Sequence, residues 1–355
     1  MFSGSYNSDD VTFLLKQVTL TPTSVADKEI AIQSGRRHYS EMLSAETPPS
    51  DEYLALYRSA LKRNGARLAR DIASLAAALD GQSGDRPEIV LASLARAGTP
   101  IGILLARALR RRGRNVAHYS ISIIRDRGID PQALAHIAAR HDPANTVFVD
   151  GWTGKGAIAG ELHASLAGTV FSPTLVVVAD PAGRADLAAT DDDYLIASGL
   201  LNGIVSGLVS RSILNDDVVS AGDFHACVYY REHEPFDLSR AFVDEIDTLA
   251  CEATPQPIDG NAVRQGALAA ECDALVATLM NDTGTTDRNR IKPGIAESTR
   301  ALLRRQPDRL LVRDFDDPDV AHLLHLAATK ALHVGRLPSD SRYRAVVIIK
   351  SLGEG

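Results

Sequence analysis

A short apolar run that ends on a carboxylate and breaks into glycines is the first place where this chain could do chemistry. Val147 to Gly156 reads V-F-V-D-G-W-T-G-K-G. Val147, Phe148 and Val149 predict a fully buried strand. Asp150 stands where that strand leaves the sheet, the usual place for ligands in open α/β sheets. Gly151, Gly154 and Gly156 let the backbone turn tightly and approach a ligand. Thr153, Lys155 and the amides that open the following helix are then placed to face a phosphate. A P-loop is excluded, because it needs G-x-x-x-x-G-K-S/T and no hydroxyl follows Lys155. The competing reading is an ordinary strand-to-helix turn.

Two more loops bear on the choice. Ala95-Arg96-Ala97-Gly98, followed by Thr99 and Pro100, feeds an arginine-bearing loop into a capped helix start, a second anion cradle. Arg125-Asp126-Arg127 forms a charged loop able to close over a polyphosphate, although charge runs are usually solvated. Asp191, Asp192 and Asp193 suit a metal less well than a solvated surface. His38 and Glu41 lie one helical turn apart and pair with each other or reach a ligand. On a strand, His225 and Cys227 share a face but stand roughly 6–7 Å apart, too far for direct proton transfer. Cys227 as a nucleophile would need a remote histidine, and buried inert cysteine is the default.

These groups need a scaffold. A helix is expected from Asp51 to Leu79, with an apolar face that includes Tyr53, Tyr57, Leu61 and Leu75. After the Gly81–Asp85 loop, strands near Glu88–Leu94, Asn115–Ile124, Thr146–Asp150 and Thr174–Ala179 alternate with helices, which predicts an α/β fold with a doubly wound, mainly parallel sheet. Asp130 before Pro131 is a second helix start. Residues Ser198–Ile213 read as a packed, close-approach segment, Phe224–Tyr230 as a strand and Ile258–Met280 as mostly helix. A smaller C-terminal α/β domain ends in a strand over Ala345–Ile349. The domain organisation expected is 1–80, largely helical; 81–280, the core with an appended hood; and 285–355.

The 355 residues can bury a large core, and a net charge of -7 offers no global attraction to nucleic acid or anionic membrane. No apolar run reaches the roughly 18 residues a spanning helix needs, and the first residues carry no signal-peptide pattern, so a cytoplasmic location is expected. Three cysteines fit neither a disulfide framework nor a C-x-x-C metal pair.

The two cradles, the charged loop between them and the carboxylate–glycine turn follow successive strands in an order that resembles the type I phosphoribosyltransferases. The resemblance implies phosphoribosyl pyrophosphate as substrate, with Mg2+ held mainly through its phosphates. It implies Asp150 on the ribose hydroxyls, the turn Gly151, Trp152, Thr153, Gly154, Lys155 and Gly156 around ribose and 5-phosphate, and Ala95, Arg96, Ala97 and Gly98 on pyrophosphate. Arg125, Asp126 and Arg127 would be the lid, with Asp150 and Arg96 central to catalysis. The turn departs from that family's pattern, which opens on two adjacent acids, because Gly151 follows Asp150.

More of the chain resembles the StiP group of phosphoribosyltransferase-like proteins, associated with tellurite-resistance and stress operons. Phe2-Ser3-Gly4-Ser5-Tyr6, Asp10-Val11, Phe13-Leu14-Leu15-Lys16, His38-Tyr39-Ser40-Glu41-Met42 and His118 to Ile123 carry that likeness. Lys292 to Arg300, Leu310 to Asp314 and Pro318 to Val334 resemble the PELOTA-type RNA-binding fold, which implies Lys292, Gly294, Glu297 and Arg300 at an RNA-facing helix start. The leading expectation is ribosyl-phosphate transfer to an unidentified acceptor near Asp180, Ser198 and Asn202, in a cytoplasmic protein able to form a homodimer, without membrane contact. The alternatives are a cysteine protease with Cys227 as nucleophile, since some StiP members carry that label, and a non-catalytic phosphoribosyl-ligand sensor that reads RNA.

Overall fold

The computed structural model describes residues 1–258 and 262–351. Two short strands, β1 (Thr12–Phe13) and β2 (Lys16–Gln17), and helix α1 (Val25–Gln33) precede the long helix α2 (Asp51–Ser83). Ser50 caps α2 by accepting from the Tyr53 amide, and Asp51 and Glu52 sit in its first turn, where the helix dipole favours acids. Tyr53, Tyr57, Leu61, Leu68, Ile72, Leu75 and Leu79 repeat at helical spacing and are all buried. Each such side chain removed from water contributes about 1.5–3 kcal/mol. The helix stops where Gly84 takes a φ of +51°.

The core then alternates strand and helix: β3 (Ile89–Leu94), α3 (Gly98–Arg111), β4 (Val116–Ile121), the small hairpin β5 (Ile123–Ile124) and β6 (Gly128–Ile129), α4 (Pro131–Ala138), β7 (Thr146–Trp152), α5 (Ala157–Leu166), β8 (Leu175–Ala179) and β9 (Leu187–Thr190). Six strands form one parallel sheet in the order β1-β4-β3-β7-β8-β9. Period-two alternation divides its side chains. Val90, Ala92 and Leu94 join the cluster of α4 and α5, whereas Ile89 and Leu91 join that of α2 and α3. Both faces are therefore covered, and β3 and β8 are buried at every residue.

A two-residue strand β10 (Ala226–Cys227) and helices α6 (Ser239–Glu252) and α7 (Ala262–Thr283) follow. The C-terminal part adds β11 (Ile291–Pro293), α8 (Ile295–Arg304), β12 (Pro307–Val312), α9 (Ala321–Thr329), β13 (His333–Arg336) and β14 (Ala345–Ile349). Its separate mixed sheet runs β11-β14-β12-β13, with only the β12–β13 pair parallel.

Several expected elements shift. Thr99 is not a cap: α3 begins at Gly98, and the Thr99 hydroxyl instead meets Ser120 Oγ at 2.8 Å. Asp130 caps α4 as expected, accepting from the amides of Gln132 and Ala133. The strand over 115–124 is interrupted at Ser122, and that over 224–230 shrinks to Ala226–Cys227. Strand β7 continues past Asp150, because Trp152 pairs with Ala179. Of the helix expected over 258–280, residues 259–261 lie outside the described residues, as do 352–355 of the expected C-terminal domain.

The start of α3 and the end of β7 touch through backbone. A Cβ on Gly98 would strike the Val149 carbonyl oxygen. Gly98→Ala should therefore cost about 1–3 kcal/mol by overpacking. Urea denaturation measures this, and an unchanged midpoint would contradict the close approach.

Candidate functional site

Adjacent parallel strands β3 and β7 bring the Arg96 loop and the glycine-rich turn to the same rim of the sheet. Their side chains, however, turn to different partners. Arg96 is only 6% exposed. Its guanidinium donates to Glu46 Oε1 at 2.5 Å and to the Val209 carbonyl at 2.7 Å. Burial pushes Glu46 up, but Arg96 and Arg304 outweigh it and hold the carboxyl below its ordinary range. The Gly203 amide, 3.0 Å from Glu46 Oε2, adds to this. In the loop Ala95, Arg96, Ala97 and Gly98, expected to hold pyrophosphate, the arginine is thus paired with the chain's own Glu46.

In the glycine-rich turn, Asp150 accepts from the Gly151 amide at 2.8 Å, and burial pushes its carboxyl up to about 6 against the pull of Arg300. The Thr153 hydroxyl faces inward and donates to Asp180 Oδ1 at 2.5 Å. Asp180 also takes the amides of Arg184 and Ala185, so it braces the loop after β8; the acceptor-site role expected of it gives way to this one. Gly156, at φ +84°, opens α5 without a side-chain cap. Lys155 Nζ donates to the Ile291 carbonyl at 2.6 Å, and Tyr343 donates to the Gly154 carbonyl at 2.6 Å. Both bonds tie the turn to the C-terminal part.

That part closes directly over the turn. A Cβ on Gly154 would lie 2.5 Å from Glu297 Cγ, so glycine is required there by close packing. The Arg300 guanidinium lies 4.9 Å from the centre of the Trp152 ring and donates to Glu297 at 3.1 Å. Gly294, at φ +90°, precedes α8 and offers no cap of its own. Asp193 supplies one from the core, accepting the amides of Ile295 and Arg344, each at 2.9 Å. Lys292, Gly294, Glu297 and Arg300, expected to face RNA, therefore face the core.

The expected lid is pinned. Arg125 gives its amide to Tyr39 Oη at 2.9 Å and its side chain to Asn289 at 3.2 Å; the Asp126 amide goes to Glu161, and Arg127 pairs with Glu41. Asn202 accepts from Arg304, while Ser198 Oγ is buried without a partner. His38 and Glu41 form a reciprocal cap around a short helical turn. The three consecutive acids are neither a metal site nor a free surface: Asp191 binds Arg264 and Arg342, Asp192 binds Arg67 and Arg344, and Asp193 caps α8.

Between turn, α1 and α8 lies a cavity of about 260 Å³, lined by three lysines and five arginines against two carboxylates, Asp150 and Glu297. Lys28 of α1 is the residue that sequence reasoning missed, because nothing in its local pattern marks it as facing a site. Two isolated carboxylates among so many cations do not by themselves hold Mg2+, and no group of three ligating side chains occurs among the described residues.

The cysteines differ in setting. Cys227 is fully buried, and burial pushes its thiol up to about 12. His225 Nδ1 instead meets Ser122 Oγ at 2.8 Å. Cys227, the nucleophile of the cysteine-protease alternative, thus lies in the core, the buried setting expected of it by default. Cys251 is exposed. Cys272 Sγ lies 3.0 Å from Tyr343 Oη, the same hydroxyl that holds the Gly154 carbonyl. Burial raises this thiol too.

Residues 4–247 match the family described as "Tellurite-like stress resistance cysteine protease StiP". The chain belongs to the StiP family. It is 44% identical over 373 aligned positions to the cysteine protease StiP of Acinetobacter baylyi, spanning all of this chain and 96% of that protein. Residues 270–351 match the PELOTA RNA binding domain. Among solved structures, the hypoxanthine phosphoribosyltransferase of Trypanosoma cruzi is 17% identical at a TM-score of 0.29 and covers 36% of this chain and 77% of that one. The same enzyme with its product IMP is 15% identical, again at 0.29, covering 37% and 79%. Scores this low carry no functional weight. Ribosyl-phosphate transfer is overturned as the expected activity, since the StiP family and the full-length relative are both named as cysteine protease.

Asp150 gives a pH test. Its folded value of about 6 lies above the ordinary 3.8, so its ionised form penalises the fold above that value. Asp150→Asn should melt higher than the parent above neutral pH, and the margin should shrink as pH falls through about 6 toward 4. Melting temperatures across that range check it, and a margin that grows on acidification would contradict the burial of this carboxyl.

Proposed function

We propose that the chain is a cysteine-dependent peptide hydrolase, the activity in the names of its family and of its full-length relative. The thiol we assign is Cys272. The supporting observation is its link through the Tyr343 hydroxyl to the glycine-rich turn, which neither of the other cysteines has. Its sulfur adds to the peptide carbonyl while the thiol proton passes to the leaving amine, giving a thioester and a free amine. Water then cleaves the thioester to a carboxylic acid and returns the proton to sulfur. Among the described residues no histidine ring hydrogen-bonds a cysteine sulfur, and burial is the largest influence on the Cys272 thiol, so the closed form is a resting one. Opening would remove that burial; Arg288 and Arg184 then favour the thiolate, while Asp273, with which both pair, opposes it.

The core is read as a sheet of the type I phosphoribosyltransferase architecture, on its strand order and rim loops, put to other chemistry. For the C-terminal part the PELOTA match supports RNA binding as a second activity. Because Arg300 and Glu297 face the core, the outer edge is the better RNA face: β13 carries exposed His333 and Arg336, and Arg336 lies 5.1 Å from the exposed Phe315 ring. Three unpaired cysteines suit a reducing compartment, and a cytoplasmic location is proposed.

Hydrolysis of an unfolded protein substrate, compared across Cys227→Ser, Cys251→Ser and Cys272→Ser, tests the assignment. Activity should be lost only in Cys272→Ser, with iodoacetamide labelling of Cys272 in turnover. Loss confined to another cysteine would refute Cys272, and hydrolysis indifferent to all three would refute the thiol mechanism. In a filter-binding assay, Arg336→Ala should weaken RNA more than Arg300→Ala; the reverse order would move the RNA face to α8.

A further inference from the structure

We infer that helix α1 is a hinged flap over the cavity between the glycine-rich turn and α8, and that its opening governs access to that cavity. Its amphipathicity is reversed. Lys28 and Glu29 point inward, 4% and 0% exposed, while Ile30 is 45% exposed. None of the apolar clusters formed by the described residues includes a residue of α1. Ile32 lines the cavity beside Lys28 instead. A helix that buries charge and exposes a large apolar side chain gains little from the hydrophobic effect, which fastens most helices to their core.

The bonds that hold α1 are polar. Glu29 accepts from Arg305 Nε and Nη2 at 2.6 and 2.7 Å, and Gln33 donates to the Lys350 carbonyl at 2.9 Å. Arg305 and Lys350 both belong to the C-terminal part, so these bonds latch α1 onto that part. The ends of the flap are anchored separately. The Thr23 amide donates to the Leu43 carbonyl at 2.8 Å, which closes 23–43 into a loop at its base. Beside that base, Arg211 donates to the carbonyls of Tyr39 and Met42, and Asn215 donates to that of Glu41 at 3.0 Å. The movable piece is therefore 24–37, hinged at Thr23 and His38. Opening returns Lys28 and Glu29 to water, which offsets part of the loss of the Arg305 pair. Burial, with Arg211, Arg304 and Arg305 beside it, lowers Lys28 to about 7 against the pull of Glu29, so the closed flap holds that charge at a cost. The loop 125–127, first expected to close over a ligand, is pinned, whereas α1 has the sparse apolar packing that a moving cover requires. The inference does not rest on the peptidase reading.

A nine-residue helix is too short to persist alone, so amide exchange over 25–33 reports the flap directly. On the full chain those amides should exchange faster than those of α2 and α8. Glu29→Gln should speed them by about tenfold or more, the scale of one lost charge-assisted hydrogen bond, and leave 151–156 and the start of α8 as in the parent. Access to the cavity gives a second readout. Ala301, 2% exposed on α8, lines the cavity. In Ala301→Cys, iodoacetamide labelling at 301 should be slow, should rise with Glu29→Gln by the same factor as the exchange, and should leave Cys227 in the core unlabelled. Protection of α1 equal to that of α8 in the parent would overturn the flap. So would Glu29→Gln speeding α1 and the turn together, or labelling at 301 that is indifferent to Glu29→Gln.

Discussion

One buried carboxylate holds the two halves of this molecule in register. Asp193 reaches from the core to the start of α8 and takes the amides of Ile295 and Arg344, donors that the helix end and the following strand would otherwise leave unmatched. Gly294 cannot cap the helix itself, and a side chain there would come within 3.2 Å of Asp193 Oδ1. Burial pushes Asp193 up to about 6, a cost offset by the two amides and by Arg344. With α8 fixed, Glu297 and Arg300 are laid on Gly154 and Trp152. The cavity exists because of that placement.

Around this contact the seam is reinforced by charge. Arg63 meets Asp319, Arg344 meets Asp192, and Arg305 meets the fully buried Glu29 of α1. Burial pushes Glu29 up, yet Arg305 holds its carboxyl low. Breaking such a pair from one side leaves a charge stranded in low dielectric, so these contacts specify one docking geometry more than they add net stability. The StiP core and its PELOTA part therefore meet in a single arrangement.

The sheet was legible because its signal is local. Val147 to Val149 and Leu175 to Val178 are apolar runs of strand length, and parallel strands covered on both faces read that way. The glycine-rich turn and the Asp130 cap were legible for the same reason. The partners of the site residues were not. Arg96 looked free until Glu46, fifty residues upstream, proved to hold it, and Asp191 to Asp193 looked solvated because their arginines lie on distant elements. Phe224–Tyr230 alternates like a strand, yet its neighbours offer only a two-residue pairing with β2. Lys28 carries no sequence mark at all. Its significance comes from burial beside residues more than a hundred positions away.

Hydrogen exchange on the intact chain and on Asp193→Ala bears most directly on the docking. If Asp193 fastens α8 onto the turn, removing it should speed exchange at the start of α8 and at the turn amides of 151–156 together. Faster exchange confined to α8, with the turn as protected as in the parent, would mean that the two surfaces are held by something other than this carboxylate.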